Sequence, residues 1–195
     1  MKKFLPLLLI LPTLAFSEVL DRTGPYIALG GGYATLYDDG RMQAQSHTDS
    51  YNVNLIGGAF INKYFSVELG VDYFDTFSNN INTNTTNLYM IDAAAKAHYT
   101  FWKDRIDLYC AFGAGGVFWK DTINANENKN NSSELRGDLG IGFRILKDLT
   151  LNLGYRRYYF TLDQETDQRD EYGNIEYIRY NMTLGSAYTN LEVQF

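Results

Sequence analysis

Two histidines are the residues of this chain best suited to proton transfer, and hydroxyl side chains lie near both of them. His98 and Ser66 fall on consecutive alternating segments, so folding the chain between them places the two side chains face to face. A serine beside a histidine is part of the nucleophile and base arrangement used in acyl transfer. His47 instead lies in a polar segment beside Ser46. Because no feature of an oxyanion hole accompanies His98, we predict that the chain is not an enzyme.

Acidic residues at alternate positions resemble the start of a calcium loop at one place in the chain. Asp163, Glu165 and Asp167 have that spacing, but Gln168 stands where the loop needs a glycine. The recurrent glycines precede no helix that could hold a nucleotide phosphate. With a single cysteine, Cys110, the chain forms no internal disulfide. We therefore expect no metal and no cofactor.

The composition is that of a strand-forming protein. Among its 195 residues are 16 tyrosines, 12 phenylalanines and 17 glycines, but only 3 prolines. Aromatic and β-branched side chains fit the pleated surface of a sheet. The formal net charge of −6 argues against nucleic acid as a partner.

The first 17 residues have the pattern of a cleaved secretory signal peptide. Lys2 and Lys3 precede an apolar run from residue 4 to residue 16. The small residues Ala15 and Ser17 stand at positions −3 and −1 of a cut before Glu18. The run is shorter than the ~20 apolar residues that a membrane-spanning helix needs. We expect a signal peptide at 1–17 and a single domain at 18–195.

Eight segments of the remaining chain alternate apolar and polar residues with the period of a β-strand. The clearest begins at Phe65, where Val67 and Leu69 alternate with Glu68 and Gly70. The predicted strands cover residues 24–37, 50–61, 65–75, 87–101, 106–119, 133–145, 149–163 and 175–195. The pattern predicts an all-β fold.

The connections between these strands alternate between long and short. Residues 38–49, 76–86, 120–132 and 164–174 are long and polar, whereas residues 62–64, 102–105 and 146–148 form tight turns. Outer-membrane barrels combine short periplasmic turns with long extracellular loops, and a soluble sandwich has no reason to keep its short turns at one end. We therefore predict an eight-stranded antiparallel up-and-down transmembrane β-barrel in the outer membrane, with both termini periplasmic.

The polar face of the sheet then fills the interior, which in an eight-stranded barrel is just wide enough for side chains. The predicted inward charges are Glu68, Asp72, Asp92, Asp107, Asp138, Glu192, Lys96, Arg136, Arg144 and Arg156. Buried charges must be paired and hydrogen-bonded. Folding each hairpin about its turn predicts three ion pairs, which are Glu68 with Lys96, Asp107 with Arg144, and Asp138 with Arg156. An interior plugged in this way conducts ions poorly.

Two segments carry a resemblance to known outer-membrane barrels. Residues 140–156 (GIGFRILKDLTLNLGYR) resemble a recurrent hairpin of that group, and residues 191–195 (LEVQF) end an alternating strand on Phe195. The chain resembles the OmpA/OmpX-like outer membrane protein β-barrel family, which includes opacity-type surface antigens. The resemblance implies that Leu191, Val193 and Phe195 form a C-terminal signature read by the barrel-insertion machinery. It also implies a role in surface adhesion, resistance to host defence or envelope integrity.

We expect a monomeric protein with a surface-interaction or envelope-structural role through four extracellular loops. Its expected partners are outer-membrane lipids, lipopolysaccharide, the insertion machinery and a host or extracellular ligand. Arg157 and Arg169 are candidates for contacts with lipopolysaccharide phosphates. Three alternatives stay open: a narrow pore for small solutes, a lipid-modifying outer-membrane enzyme, and a soluble periplasmic ligand-binding barrel. Bilayer conductance, mass spectrometry of lipid A and extraction without detergent would distinguish them.

Overall fold

The computed structural model describes residues 22–38, 49–78, 85–123, 126–169 and 175–195, which form eight β-strands. The strands are β1 (Gly24–Asp38), β2 (Ser50–Asn62), β3 (Phe65–Ser78), β4 (Thr85–Phe101), β5 (Ile106–Ile123), β6 (Asn126–Arg144), β7 (Leu149–Arg169) and β8 (Ile175–Gln194). Each strand pairs antiparallel with the next, and β8 pairs with β1, so the sheet closes into a barrel. The predicted all-β up-and-down barrel is confirmed. Within the described ranges, no helix has the length and apolarity needed to span a bilayer.

The register of the strands sets the tilt and the width of the barrel. From Gly24 in β1, the paired residues followed from strand to strand are Phe60, Ser66, Lys96, Ala111, Asp138, Arg156 and Ser186. Ser186 then pairs with Ala34 of β1, so one circuit shifts the register by ten residues, from 24 to 34. In eight strands this shift corresponds to a tilt of about 40° and an interior that side chains can fill.

The two ends of the barrel differ. The three tight connections and both ends of the described chain lie at one end, here named the turn end, and the opposite end is named the loop end. Asn62 shapes the first tight connection, because its side-chain oxygen accepts hydrogen bonds from the N–H groups of Tyr64 and Phe65 at 2.8 and 3.0 Å. Such folding back onto the following backbone is typical of asparagine in turns.

The strands extend further toward the loop end than the alternation predicts. Residues 120–132 were expected to form a loop, but β5 and β6 remain paired up to Ile123 and Asn126. In the same way β7 continues to Arg169. The reason is that backbone hydrogen bonds hold the two strands of a hairpin in register even where the hairpin has no apolar face to bury. The alternation of polarity therefore ends before the strands do.

Side chains alternate between the two surfaces of the sheet. In β3, Val67 and Leu69 are 47% and 67% exposed on the outside, while Glu68 between them is 3% exposed on the inside. The ten charged residues predicted to face inward are all buried inside the cylinder. An apolar outer wall around a charged interior is the arrangement expected of a barrel surrounded by lipid.

The interior has two layers. Polar and charged side chains fill most of the half nearest the turn end, and an apolar layer fills the half nearest the loop end. A smaller apolar cluster lies among the polar residues of the turn-end half and consists of Tyr26, Ala28, Ile56 and Phe60. The apolar layer consists of Ala34, Leu36, Phe74, Phe77, Leu88, Met90, Val117, Trp119, Tyr158, Phe160, Met182 and Leu184. We predicted a charged interior and missed this layer, because outward Tyr73 and Tyr89 stand beside inward Phe74 and Leu88 and the contrast between the two faces fades.

Candidate functional site

A network of buried charged side chains crosses the polar half of the interior, with Arg136 of β6 at its centre. The Arg136 guanidinium donates hydrogen bonds to Glu68, Asp92 and Asp138, the last at 3.0 Å. Arg136 itself is fully buried. These carboxylates neutralise the positive charge of Arg136. A buried ion is tolerated only when it is paired and hydrogen-bonded in this way.

A second arginine extends this network to the far side of the barrel. Arg156 donates hydrogen bonds to Asp72 at 2.8 Å and to Asp138 at 3.0 Å. The Tyr158 hydroxyl donates to the same Asp72 at 2.7 Å, and the Tyr188 hydroxyl donates to Asp138 at 2.7 Å. Side-chain contacts alone therefore connect β3 with β6, β7 and β8 across the interior.

The structure brings together the members of two predicted ion pairs. Lys96 Nζ lies 3.6 Å from Glu68 Oε2, and Arg156 Nε lies 3.0 Å from Asp138 Oδ2. The ammonium group of Lys96 also lies 4.1 Å from the centre of the Tyr109 ring, a cation–π contact. Both pairs belong to the larger network rather than standing alone, because Arg136 bonds the same two carboxylates.

The predicted pair of Asp107 with Arg144 is not formed. Asp107 instead accepts from Arg22 at 2.7 Å and lies 2.8 Å from His98. Arg22 is 2% exposed, and its guanidinium lies 5.1 Å from the centre of the Phe60 ring. The physical reason is that the chain before β1 folds into the mouth of the barrel and delivers a cation to Asp107. No alternation precedes residue 24, so no sequence pattern pointed to Arg22.

Ser66, His98 and Asp107 form a hydrogen-bonded chain in the order of a catalytic triad. Ser66 Oγ lies 2.8 Å from His98 Nε2, and His98 Nδ1 lies 2.8 Å from Asp107 Oδ2. Ser66 is 1% exposed, with the Tyr26 hydroxyl 3.4 Å from its Oγ, and the Phe60 ring packs on His98. Acyl transfer also needs free N–H donors, and the strand at Ser66 is paired on both sides. We interpret these three hydrogen-bonded side chains as a structural contact that joins β3, β4 and β5 at the turn end.

Glu134 of β6 is a buried carboxylate without a hydrogen-bond partner among the described residues. It is 2% exposed, and neither carboxylate oxygen has a donor in reach. Gly115 stands between Glu134 and Asp92 in the row of paired residues, while Arg136 is occupied by other carboxylates. Glu134 continues the β6 alternation by one step toward the loop end. Glu134 lies within the predicted strand at 133–145, and its alternation with Leu135 and Arg136 could have placed it among the inward charges, but that set did not include it.

The apolar layer closes the interior above this network. The rings of Phe74 and Tyr158 meet edge to face with centres 6.0 Å apart, and Trp119 lies 6.5 Å from Phe160. Packed aromatic rings therefore occupy the described part of the interior near the loop end, and the hydrogen-bonded ionic network occupies the part near the turn end. The surfaces left to meet other molecules are the outer wall and the connections at the loop end.

The residues of the C-terminal signature, Leu191, Val193 and Phe195, all face outward. Their exposed fractions are 49%, 41% and 72%. They end β8, which closes the barrel by pairing with both β7 and β1. Recognition of these side chains by an insertion factor stays a prediction.

A shallow groove of about 750 Å³ crosses the outside of β2, β3 and β4. Small residues on neighbouring strands form its floor, with Val67 and Leu69 beside them. The small residues that face outward are Gly57, Ala59, Ala93 and Ala95. In a bilayer, acyl chains fill a depression of this kind.

At the loop end, Asp49 stands just before β2. It accepts hydrogen bonds from the hydroxyls of Tyr33 and Thr35, the second at 2.7 Å. These bonds favour the carboxylate form and hold the pKa of Asp49 below its ordinary value. The rim therefore carries a negative charge at this point at neutral pH.

No group of three or more His, Cys, Asp or Glu side chains in the described ranges is arranged to hold a metal ion. Several predictions fall on other parts of the chain. The signal peptide at 1–17 and His47 lie outside the described residues, as do the side chains of Asp163, Glu165, Asp167 and Arg169.

Comparison with known families gives one match over most of the chain. The family model for the outer membrane protein beta-barrel domain matches residues 4–188. No curated protein sequence matches the chain at a significant level.

Solved outer-membrane barrels share the fold at low sequence identity. Neisserial surface protein A is 17% identical with a TM-score of 0.65, over 88% of this chain and 97% of that one. OprG of Pseudomonas aeruginosa is 10% identical with a TM-score of 0.57, over 92% and 100%. Ail, the attachment invasion locus protein of Yersinia pestis, is 12% identical with a TM-score of 0.52, over 87% and 98%.

Proposed function

Because the chain belongs to the outer membrane protein β-barrel domain family, we propose that it is a non-catalytic surface protein that meets its partner through the connections at the loop end. The barrel lies in the outer membrane, and its loop end then faces the outside of the cell. In this proposal the strands hold four outer segments in fixed positions. The interior contributes rigidity rather than transport.

The observation that carries the proposal is the filled interior. Arg136 and Arg156 are both ion-paired with buried carboxylates, and the rings of Phe74 and Trp119 pack above them. A solute crossing the barrel would have to break this network and displace the apolar layer as well. The filled interior therefore supports a surface role over the pore alternative.

The charge of the outer segments indicates the chemistry of the partner. Residues 163–171 contain five acids and one arginine. Asp49 adds a further negative charge at the rim. A structure of Ail holds the heparin analogue sucrose octasulfate, but a segment this acidic would repel a sulfated polyanion. We infer that the partner of this chain presents a neutral or basic surface.

Shortening the outer segments tests the surface role directly. Residues 39–48 and 170–174 are each replaced by a Gly-Ser turn, and the variant is returned to cells that lack the protein. Adhesion of these cells to an epithelial monolayer, and their survival in serum, is expected to fall to the level of cells without the protein. The reason is that two of the outer segments, including the acidic residues Asp170 and Glu171, are lost while the barrel remains.

The matched control changes the opposite end of the barrel. Lys103→Gln alters an exposed residue of a turn-end connection and is expected to behave as wild type. Heat-modifiable gel mobility reports that each variant has folded. Wild-type adhesion and survival in a folded, shortened variant would reject the surface role. Detergent resistance restored by that same variant would then favour the envelope-structural role.

A further inference from the structure

One basic side chain interrupts the apolar outer wall of β7. Arg157 is exposed on the outward face, directly above Leu153 and Tyr155 and below Tyr159. An arginine facing the middle of a bilayer costs about 2–4 kcal/mol, whereas one near the interface costs about 0–1 kcal/mol. The depth of Arg157 in the bilayer therefore decides whether its exposure to lipid is unfavourable or suits a binding site at the interface.

The position of Arg157 along β7 places it at the outer interface. Eight residues separate it from Leu149, which begins the strand at the turn end. At a rise of ~3.3 Å per residue and a tilt of about 40°, this span corresponds to a height of roughly 20 Å. The apolar band of such barrels is about 25 Å tall, and tyrosine girdles mark its edges. Tyr155 and Tyr159 bracket Arg157 in that way.

Three hydrogen-bond donors on this face have no acceptor among the described residues. The Arg157 guanidinium lies 5.3 Å from the centre of the Tyr159 ring, and no carboxylate of the described residues lies within ion-pair distance of it. The hydroxyls of Tyr155 and Tyr159 have no hydrogen-bond partner in the same ranges. The described residues therefore leave these donors open to an acceptor, and a guanidinium fork matches the oxygens of a phosphate.

Glycines flank Arg157 on both neighbouring strands. Gly137 of β6 and Gly185 of β8 are its paired residues. The Tyr155 hydroxyl lies across Gly185, whereas a Cβ at Gly137 would meet nothing within 4 Å. The guanidinium is therefore screened on one side and open on the other. Because Gly137 has no side chain, the open side is a notch in the outer wall beside Arg157.

We propose that Arg157, with the hydroxyls of Tyr155 and Tyr159, binds a phosphate of lipid A in the outer leaflet, through the notch at Gly137. The site faces the leaflet on the loop-end side, where lipopolysaccharide supplies the phosphates. It rests on the membrane placement of the barrel and not on the outer segments. A failure of the loop-shortening experiment would leave it standing.

The test measures binding of lipid A to the purified barrel by native mass spectrometry. Three probes are compared: lipid A with both phosphates, the same lipid A after removal of its phosphates, and phosphatidylglycerol. Wild-type protein is expected to retain the phosphorylated form. Arg157→Gln is expected to bind it about tenfold more weakly, because one charge-assisted pair is lost. Gly137→Leu keeps the charge but fills the notch, and is expected to weaken binding as well.

Lys63→Gln is the matched control, because it removes one exposed basic residue at the turn end. It is expected to bind phosphorylated lipid A as wild type does. Equal binding by wild type and Arg157→Gln would overturn the proposal. So would equal binding of the dephosphorylated lipid, which would assign retention to the acyl chains. Equal binding of phosphatidylglycerol would overturn the assignment to lipid A.

Discussion

Replacing Arg136 with leucine is expected to lower the free energy of unfolding by about 3–5 kcal/mol, the range measured when one member of a buried ion pair is removed. The arginine is 0% exposed and donates to Glu68, Asp92 and Asp138. Its loss leaves Asp92 without its ion-pair partner and removes one of the two cations bonded to Glu68 and to Asp138. Urea unfolding of the barrel in phospholipid vesicles, followed by tryptophan fluorescence, measures the change.

Glu134→Gln on the same strand provides the matched control. Glu134 is as deeply buried, but no donor in the described part of the chain is bonded to it. Removing its charge therefore relieves an uncompensated group instead of breaking a pair, so unchanged or increased stability is expected. If Arg136→Leu were as stable as wild type, the network would not hold the interior together. Equal losses in the two variants would point to packing rather than charge.

Replacing Gly140 with valine is expected to cost about 3 kcal/mol or prevent the barrel from closing, because the interior there is already full. A Cβ at Gly140 would lie 2.6 Å from the Leu153 carbonyl oxygen and closer still to the Tyr109 ring. The Tyr109 hydroxyl lies 2.9 Å from the Tyr188 hydroxyl, which in turn donates to Asp138. Displacing the ring would therefore disturb the charged network too.

Gly137→Val tests the same substitution three residues away on β6. Gly137 faces outward, and a Cβ there meets nothing within 4 Å, so wild-type stability is expected. The fraction of folded protein is read from heat-modifiable gel mobility, and the stability from urea unfolding. Equal tolerance of valine at both positions would mean that Tyr109 does not occupy the space over Gly140.

The strands and their two faces could be predicted from the sequence, because alternate residues of a strand face opposite sides whatever the strand pairs with. In β3, Glu68 between Val67 and Leu69 already identifies the inner face. A register slip of one residue would turn such charges toward lipid. The closed barrel followed from the lengths of the connections, since tight turns join only neighbouring antiparallel strands.

Contacts between charges could be predicted only where the strands are adjacent. Asp138 and Arg156 are direct partners on β6 and β7, so folding one hairpin brings them together. The bond of Arg136 on β6 to Glu68 on β3 crosses the interior past two strands. It depends on the ten-residue shift around the closed barrel, which no single hairpin reveals.

Features that lack the alternation of apolar and polar residues were missed as well. Arg22 precedes the first strand, and its contact with Asp107 requires the chain to enter the mouth of the barrel. Near the loop end the apolar residues turn inward, so the alternation that identified β3 loses its contrast there. The outward Arg157 was noted in the sequence, but its depth in the bilayer could be derived only from the tilt of β7 in the closed barrel.

The central claim is that the apolar face of this sheet contacts lipid and its charged face is sealed inside the cylinder. Cys110, the single cysteine of the chain, lies exposed on the outside of β5 between Leu108 and Phe112. A nitroxide is attached to it in detergent, and the barrel is reconstituted in bilayers. Power-saturation electron paramagnetic resonance then compares collisions with oxygen, which concentrates in hydrocarbon, and with a water-soluble nickel chelate. High oxygen and low nickel accessibility is the predicted result. High nickel accessibility, or a probe reached by neither, would contradict the claim, since it would place this face in water or in a dry protein core.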